Sequence, residues 1–152
     1  MRITILSTTP EAFDSFRASH VVARASSSGA AALEVVDIRD YAEGSYRKID
    51  DSPYGGGPGM VLRVDTVSKA IADVRTGESR VVMLSPKGFR FDQKKAREFA
   101  SLSHLVLVNV LSYALVEALV VAADKDQMTK TCKLAGLLLV EARSLRREHD
   151  HT

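Results

Sequence analysis

The chain has 152 residues, 45% of them hydrophobic, which is enough for one domain with a core and too apolar for a disordered protein. Its 21 basic and 19 acidic residues give a net charge of +2, which neither indicates nor excludes a nucleic-acid partner. The one cysteine, Cys132, excludes an intrachain disulfide, and the histidines lack metal-ligand spacing, so we expect no metal site.

The beginning of the chain alternates apolar strands with helices. RITILS (Arg2–Ser7) is rich in β-branched residues and precedes a turn, which predicts a buried strand. TPEAFDSFRAS (Thr9–Ser19) predicts a helix whose first residue acts as the cap. A short helix is predicted over Val21–Ala25, and LEVVDIRD (Leu33–Asp40) predicts the second strand. The opening run is not a signal peptide, and we expect a soluble, cytoplasmic protein without a membrane partner.

A long segment rich in Gly, Asp, Ser and Pro follows, Tyr41–Met60. A loop of about twenty residues is too long for an ordinary connection, which indicates a functional loop. RVDTVSKAIADVR (Arg63–Arg75) then predicts a helix with one apolar face. Four residues form that face: Val64, Val67, Ile71 and Val74.

The remaining elements continue the alternation. RVVMLS (Arg80–Ser85) predicts a third strand that ends in the turn SPKG. A helix with Asp92 as its cap is predicted over Asp92–Leu102, and an apolar strand over His104–Val110. Two further helices are predicted, over Tyr113–Ala123 and Leu134–Arg147.

This order of elements predicts an α/β fold with a parallel sheet flanked by helices on both faces. In such folds, ligands bind outside the carboxyl ends of the strands. Two unusual loops are predicted at those ends: the glycine loop (Asp50–Met60) after the second strand, and LSPKG (Leu84–Gly88) after the third. We therefore expect the functional site where these two loops lie.

The glycine loop, DDSPYGGGPGM, has four glycines within five positions. Its order matches neither a P-loop nor a dinucleotide fingerprint. Glycine adopts left-handed dihedrals and lets a backbone or a flat ring approach closely. Tyr54 is suited to stack on a base, and Asp50 to accept a hydrogen bond from a base edge or a ribose hydroxyl. The alternative is a flexible surface loop with a turn at Pro58 and Gly59.

LSPKG offers a hydroxyl, a rigid turn and a glycine at a strand end, which can line a small-molecule pocket. A plain strand-to-helix turn is the alternative. His20 and His104 flank apolar segments and are interpreted as structural. No nucleophilic triad or pair of carboxylates emerges, so the residues alone assign no catalytic group.

Three segments, MRITILSTTPEAFDSF (Met1–Phe16), VVARASSSGAAALEVVDIRDYAEGSYRKIDDSPYGGGPGM (Val21–Met60) and VVMLSPKGFRFDQKKAREFASLSHLVLV (Val81–Val108), resemble those of bacterial tRNA (guanine-N1) methyltransferases. The most specific motif is R-x-I-D-D-x-P-Y-G-G-G-x-G-M, which ends at Met60. The resemblance runs from the first residue to Val108, where it ends.

The resemblance implies a SPOUT-like methyltransferase fold, trefoil-knotted in the family, with S-adenosylmethionine as methyl donor. It implies methylation of N1 of the guanosine 3′ of the anticodon in tRNA, not DNA, by a homodimer with its sites at the interface. The glycines would let a flipped-out base and the neighbouring subunit come close. By motif, the tRNA and guanine side would be formed by Asp50, Tyr54, Gly55, Gly56, Gly57, Gly59 and Met60. The cofactor side would be formed by Leu84, Ser85, Pro86 and Gly88.

From about residue 109 the chain departs from the family pattern. The family has G-R-Y-E-G-V-D where this chain reads VLSYALVEAL (Val110–Leu119), and S-I-G-D-Y-V-L-T-G-G-E where it reads MTKTCKLAGLLL (Met128–Leu139). We expect a single domain over residues 1–152, without the family's C-terminal tRNA-binding domain and its proposed general base. The alternative functions are an inactive homologue that binds RNA or a partner, and a nonfunctional remnant.

Overall fold

The computed structural model describes residues 1–56, 59–109 and 138–141. Seven strands, four α-helices and two 3-10 turns are assigned in these ranges. In chain order they are β1 (Arg2–Ser7), the first 3-10 turn (Pro10–Phe13), α1 (Asp14–Arg17), α2 (His20–Ser27), β2 (Ala32–Asp37), the second 3-10 turn (Ile38–Tyr41), β3 (Asp50–Asp51), β4 (Val61–Leu62), α3 (Val64–Val74), β5 (Arg80–Arg90), α4 (Gln93–Ala100), β6 (His104–Asn109) and β7 (Leu138–Glu141).

The main sheet has the strand order β2-β1-β6-β5-β7. β2, β1, β6 and β5 are parallel to one another, and helices flank them. This arrangement confirms the predicted α/β architecture. β7 runs antiparallel along the outer side of β5. β3 and β4 form a separate antiparallel pair, which we call the ribbon. It carries the glycine loop between its two strands.

The helix predicted over Leu134–Arg147 is wrong at Leu138–Glu141, which form β7. The short run LLVE has no periodicity that separates a strand from a helix, and pairing with β5 decides the conformation. The rest of that prediction, and the whole helix predicted over Tyr113–Ala123, lie outside the described residues.

The hydrophobic core consists of two layers, one on each face of the sheet. Alternate residues of β1 point to opposite faces, so Ile3 and Ile5 belong to one cluster and Leu6 to the other. The first cluster includes Phe99 of α4, and the second includes Ile71 of α3. All of the side chains named here are at most 6% exposed. This two-sided burial explains the continuous apolar runs of the central strands.

On the face of the sheet that holds Leu6, polar side chains form a cluster at the amino ends of the strands. The buried ring of His104 lies 2.7 Å from Ser79 Oγ and 3.1 Å from Arg2 Nη2 through its Nδ1 atom. Its Nε2 atom lies 3.0 Å from Thr4 Oγ1. Because a guanidinium only donates, Nδ1 accepts and Nε2–H donates to Thr4. His104 is therefore a neutral structural group, in agreement with its interpretation from the sequence.

Two strand ends differ from the prediction, and local hydrogen bonding explains the first difference. β2 ends at Asp37 instead of Asp40, because the Asp37 carboxylate accepts a 2.8 Å hydrogen bond from the Arg39 amide and begins a 3-10 turn. β5 continues through SPKG to Arg90, so the predicted turn is wrong. Instead, Leu139 is opposite both Leu84 and Phe89, and the strand bulges between them.

The predicted helix caps have different outcomes. Asp92 caps α4 as predicted, accepting a 2.8 Å hydrogen bond from the Lys95 amide. Thr9 makes no side-chain cap, and its own amide instead donates to Ser7 Oγ at 3.2 Å. The predicted apolar face of α3 is wrong at Val64, which is the first residue of the helix and is 81% exposed.

The segment that precedes the ribbon is attached to one side of α3. Tyr41 donates a 2.6 Å hydrogen bond to Asp73 Oδ2, and Glu43 forms an ion pair with Lys69. Lys69 and Asp73 are four residues apart, so they lie on the same stripe of the helix. The hydrogen bond to Asp73 is the main reason that the pKa of Tyr41 rises to about 12.

We predict that His104 makes the stability of the fold depend on pH. Burial, and then the charge of Arg2, lower the pKa of His104 from 6.5. The unfolded chain therefore binds the extra proton first, and the free energy of unfolding decreases as pH falls below 6.5. Urea denaturation at a series of pH values should show a shallower acid dependence for His104→Gln. Equal slopes in the two proteins would contradict this assignment.

A second pH effect is predicted at Tyr41. Because its pKa is raised from 10.0 to about 12, its contribution to stability is present below pH 10 and is lost as pH rises towards 12. Absorbance titration should detect one phenol ionising near pH 12 that is missing in Tyr41→Phe. Asp73→Asn should move this ionisation back towards 10. A titration unchanged by both substitutions would show that Tyr41 does not bond to Asp73 in solution.

Candidate functional site

The ribbon holds the glycine loop by its two ends. Asp50 is opposite Leu62, and Asp51 is opposite Val61. Directly before the ribbon, the Ile49 carbonyl accepts a 2.7 Å hydrogen bond from the Arg63 amide. The two ends of the loop are therefore held next to each other by the ribbon, and the loop projects from it. The long loop predicted over Tyr41–Met60 is wrong at β3, and no strand was predicted at β4, which directly follows that loop.

Left-handed backbone conformations occur at the described glycines of the loop. The φ angles are 88° at Gly55, 81° at Gly56 and 102° at Gly59. Among the described residues, apart from the immediate chain neighbours, no atom lies within 4 Å of a Cβ built at any of the three, so the backbone angle, and not crowding by these residues, favours glycine. Gly57, which the sequence places in the same site, lies outside the described residues.

The predicted substrate residues are exposed to solvent. Tyr54 is fully exposed, Met60 is 56% exposed, and Asp50 is exposed on the ribbon. A tyrosine ring in this state is available to stack on a flat partner. The structure therefore brings Asp50, Tyr54, Gly55, Gly56, Gly59 and Met60 together on one projecting hairpin.

Charged side chains support the base of this hairpin. Arg63 contacts Asp65 in two places, with Nη2 at 2.7 Å from Oδ2 and Nε at 3.2 Å from Oδ1. This hydrogen bonding raises the pKa of Arg63 and lowers the pKa of Asp65. Hydrogen bonding to Lys69 likewise lowers the pKa of Glu43. The charged forms of Arg63, Asp65 and Glu43 are therefore favoured at neutral pH.

The predicted cofactor residues lie on β5, where the ladder with β7 is irregular. Leu84 is 9% exposed and belongs to the first core cluster. Ser85, Pro86 and Gly88 fall in the bulge between Leu84 and Phe89. The parallel pairing of β5 with β6 extends to Met83, so the bulge lies just beyond the carboxyl end of the parallel sheet. Proline fits such a bulge because it has no amide hydrogen to give to a ladder.

Both predicted groups therefore follow strands of the parallel sheet, but they belong to different elements. The ribbon comes after β2 in the chain and is anchored to the core beside Leu6 and Val108, near the carboxyl ends of β1 and β6. The cofactor group is part of β5 itself. Sequence reasoning missed Ile49, which is the buried residue of the ribbon's base. Its signal is a lone apolar residue between Lys48 and Asp50.

Within residues 1–56, 59–109 and 138–141, no three His, Cys, Asp or Glu side chains are arranged to hold a metal ion. In the same ranges, no helix has the length and apolar character needed to cross a membrane.

Comparison with known proteins identifies the family. The sequence profile described as "tRNA (Guanine-1)-methyltransferase TrmD" matches residues 1–128. Among curated proteins, the tRNA (guanine-N(1)-)-methyltransferase of Magnetococcus marinus is 44% identical over 109 residues. This match covers 71% of the chain and 43% of that protein.

Two further relatives carry the same name. The protein of Listeria innocua is 41% identical over 112 residues, covering 71% of this chain and 46% of its own length. That of Malacoplasma penetrans is 37% identical over 108 residues, covering 71% and 48%. The chain spans about half the length of the curated relatives that it matches. Because the profile covers most of the chain, the protein belongs to the tRNA (guanine-1)-methyltransferase TrmD family.

Proposed function

We propose that this protein transfers a methyl group from S-adenosylmethionine to N1 of the guanosine 3′ of the anticodon of a tRNA. The observation that carries the proposal is the glycine hairpin, in which an exposed tyrosine and three left-handed glycines stand beside Asp50. The names of the relatives give the proposal its reaction and its substrate. A tRNA substrate also implies that the protein acts in the cytoplasm.

On the tRNA side, we assign base recognition to the glycine hairpin. Tyr54 would stack on a nucleotide, and the bare backbone at Gly55, Gly56, Gly57 and Gly59 would let a flipped-out guanine approach. Asp50 would accept a hydrogen bond from the base edge, because an ionised carboxylate is an acceptor only. Met60 would contact the base or ribose through its side chain. The general base remains unassigned.

On the cofactor side, we assign the bulge of β5. The residues between Leu84 and Phe89 are outside the regular ladder, so their backbone groups are suited to hydrogen-bond a small polar molecule. Leu84, Ser85, Pro86 and Gly88 would hold S-adenosylmethionine there, with Leu84 contributing apolar contact. When bound, the cofactor supplies an electrophilic methyl group. The protein's part is to orient the two reactants in line.

We also assign a homodimer to the functional state. Several large apolar side chains on and beside the hairpin are exposed, which is typical of an interaction surface. They are Tyr46 (94%), Tyr54 (107%), Met60 (56%), Val61 (46%) and Val64 (81%). A second copy of the chain that covers part of this surface would complete the site, as in the dimeric family that the sequence resembles.

The proposal is tested by cofactor binding and by methyl transfer. Calorimetric titration with S-adenosylhomocysteine should show micromolar binding, and sedimentation equilibrium of the same sample should give the dimer mass. A tRNA transcript with guanosine 3′ of the anticodon should accept labelled methyl from S-adenosylmethionine, and a transcript with adenosine there should not. Salt-dependent tRNA binding without cofactor binding would instead favour the inactive RNA-binding homologue. A folded protein that does neither contradicts both functions.

We predict that the left-handed backbone of the loop matters for tRNA binding. Gly55→Ala introduces a Cβ at a φ of 88°, which costs about 1–2 kcal/mol, so the KM for tRNA should rise about 5- to 30-fold. Gly29→Ala is the matched control, because Gly29 has a φ of 71° and equally open surroundings. It should lower stability without changing the KM. Wild-type kinetics in Gly55→Ala would argue against the assignment.

A further inference from the structure

In the described part of the segment that carries the glycine loop, one side chain is fully buried. Between Ile38 and Thr66, the structure describes residues 39–56 and 59–65, and within these ranges only Ile49 is buried. Its side chain is 3% exposed, whereas its neighbours Lys48 and Asp50 are exposed. Ile49 is therefore the one fully buried side chain of the described part of this segment, and the partly buried Tyr41, Ala42 and Leu62 pack against the same core cluster.

Ile49 is buried where three parts of the fold meet. It belongs to a core cluster with Ile38 at the start of the segment, Val67 and Ile71 of α3, and Val108 at the end of β6. Its carbonyl accepts the 2.7 Å hydrogen bond from the amide of Arg63, the residue that precedes α3. Side chain and backbone of the same residue thus fix both the start and the end of the hairpin.

The ion pairs and the side-chain hydrogen bond that attach this segment to α3 and its first turn are exposed to solvent. The Arg63–Asp65 and Glu43–Lys69 pairs have side chains between 36% and 72% exposed. Exposed ion pairs contribute little to stability and are screened by salt. The hydrogen bond from Tyr41 to Asp73 is also at the surface. Among the apolar side chains of this segment that pack on the core, Ile49 is the most deeply buried, so its burial is the largest single contribution that opposes local opening of the hairpin.

We propose that Ile49 is the positioning residue of the glycine loop. Because it directly precedes Asp50, its burial sets where Asp50 and the following loop lie relative to the carboxyl ends of the sheet. The inference rests on the proposed function, in which this loop receives the tRNA. It predicts that a smaller side chain at this position releases the loop while the rest of the domain keeps its structure.

The first experiment measures local opening, independently of any activity. NMR-detected hydrogen exchange in the full chain follows the Arg63 amide, which donates to Ile49, and the amides of β1 as a reference. Ile49→Ala should speed exchange of the Arg63 amide at least about tenfold more than that of β1. Ile71→Ala is the matched control, because it removes the same atoms from the same cluster and should show no such selectivity.

The second experiment measures which kinetic parameter changes in Ile49→Ala, the KM for tRNA or the KM for S-adenosylmethionine. A loop that is docked for a smaller fraction of the time raises the apparent KM for tRNA in proportion, about tenfold or more for Ile49→Ala. The KM for S-adenosylmethionine should not change, because its proposed site is on β5. Ile71→Ala should reduce only the amount of active enzyme, with both KM values unchanged. Ile49→Val, which keeps most of the side chain, should keep the KM for tRNA within about threefold of wild type.

The outcomes separate this inference from the proposed function. Equal effects of Ile49→Ala and Ile71→Ala on Arg63 exchange would overturn the positioning role, whether or not the protein is active. Selective exchange together with an unchanged KM for tRNA would overturn it as well. A wild-type chain that transfers no methyl contradicts the proposed function, and the exchange comparison then decides alone whether Ile49 positions the loop. If Ile49→Ala does not fold, Ile49→Val and Ile71→Val form the same comparison with a smaller deletion.

Discussion

β1 and β6 lie side by side in the middle of the sheet and are buried on both faces, and this burial determines where polar chemistry can occur. Leu105, Leu107, Val106 and Val108 of β6 all have no exposed surface. Only the strand ends are left for polar groups, and the two ends are used differently. At the amino ends, His104 satisfies its hydrogen bonds internally and closes the core. Near the carboxyl ends of the parallel strands lie the two segments that we assign to ligands, the ribbon that follows β2 and the bulge of β5.

The sequence was a good guide where the core determines the structure. β1 has its predicted bounds, and Asp92 caps α4, because apolar pattern and capping chemistry act locally. It was a poor guide where pairing between residues distant in the sequence determines the conformation. Nothing local shows that Leu138–Glu141 pair with β5, or that the SPKG segment bulges instead of turning. The ribbon was missed for the same reason, since two-residue strands have no detectable period.

The candidate site was predictable as residue types in a motif, but its construction was not. The motif identifies Asp50, Tyr54 and the glycines without indicating that a hairpin presents them. Ile49 lies inside the same motif, and a single apolar residue among polar ones carries no periodicity. Its role follows only from the packing against α3 and β6, which depends on contacts distant in the sequence. The motif therefore predicts which side chains of the loop meet a ligand, but it does not show the buried contact that supports the loop.

The construction of the hairpin is consistent with a large and flat substrate. A small molecule is bound mostly by apolar, enclosed surfaces, whereas this loop exposes Tyr54 completely and holds three glycines in left-handed conformations. Such a loop gains nothing from being rigid along its whole length if, as we propose, its ligand is an RNA that reaches this face from solvent. It needs a fixed base, however, or Asp50 would have no defined position. One buried isoleucine beside an exposed aspartate meets both requirements, because it fixes the base and leaves the tip accessible.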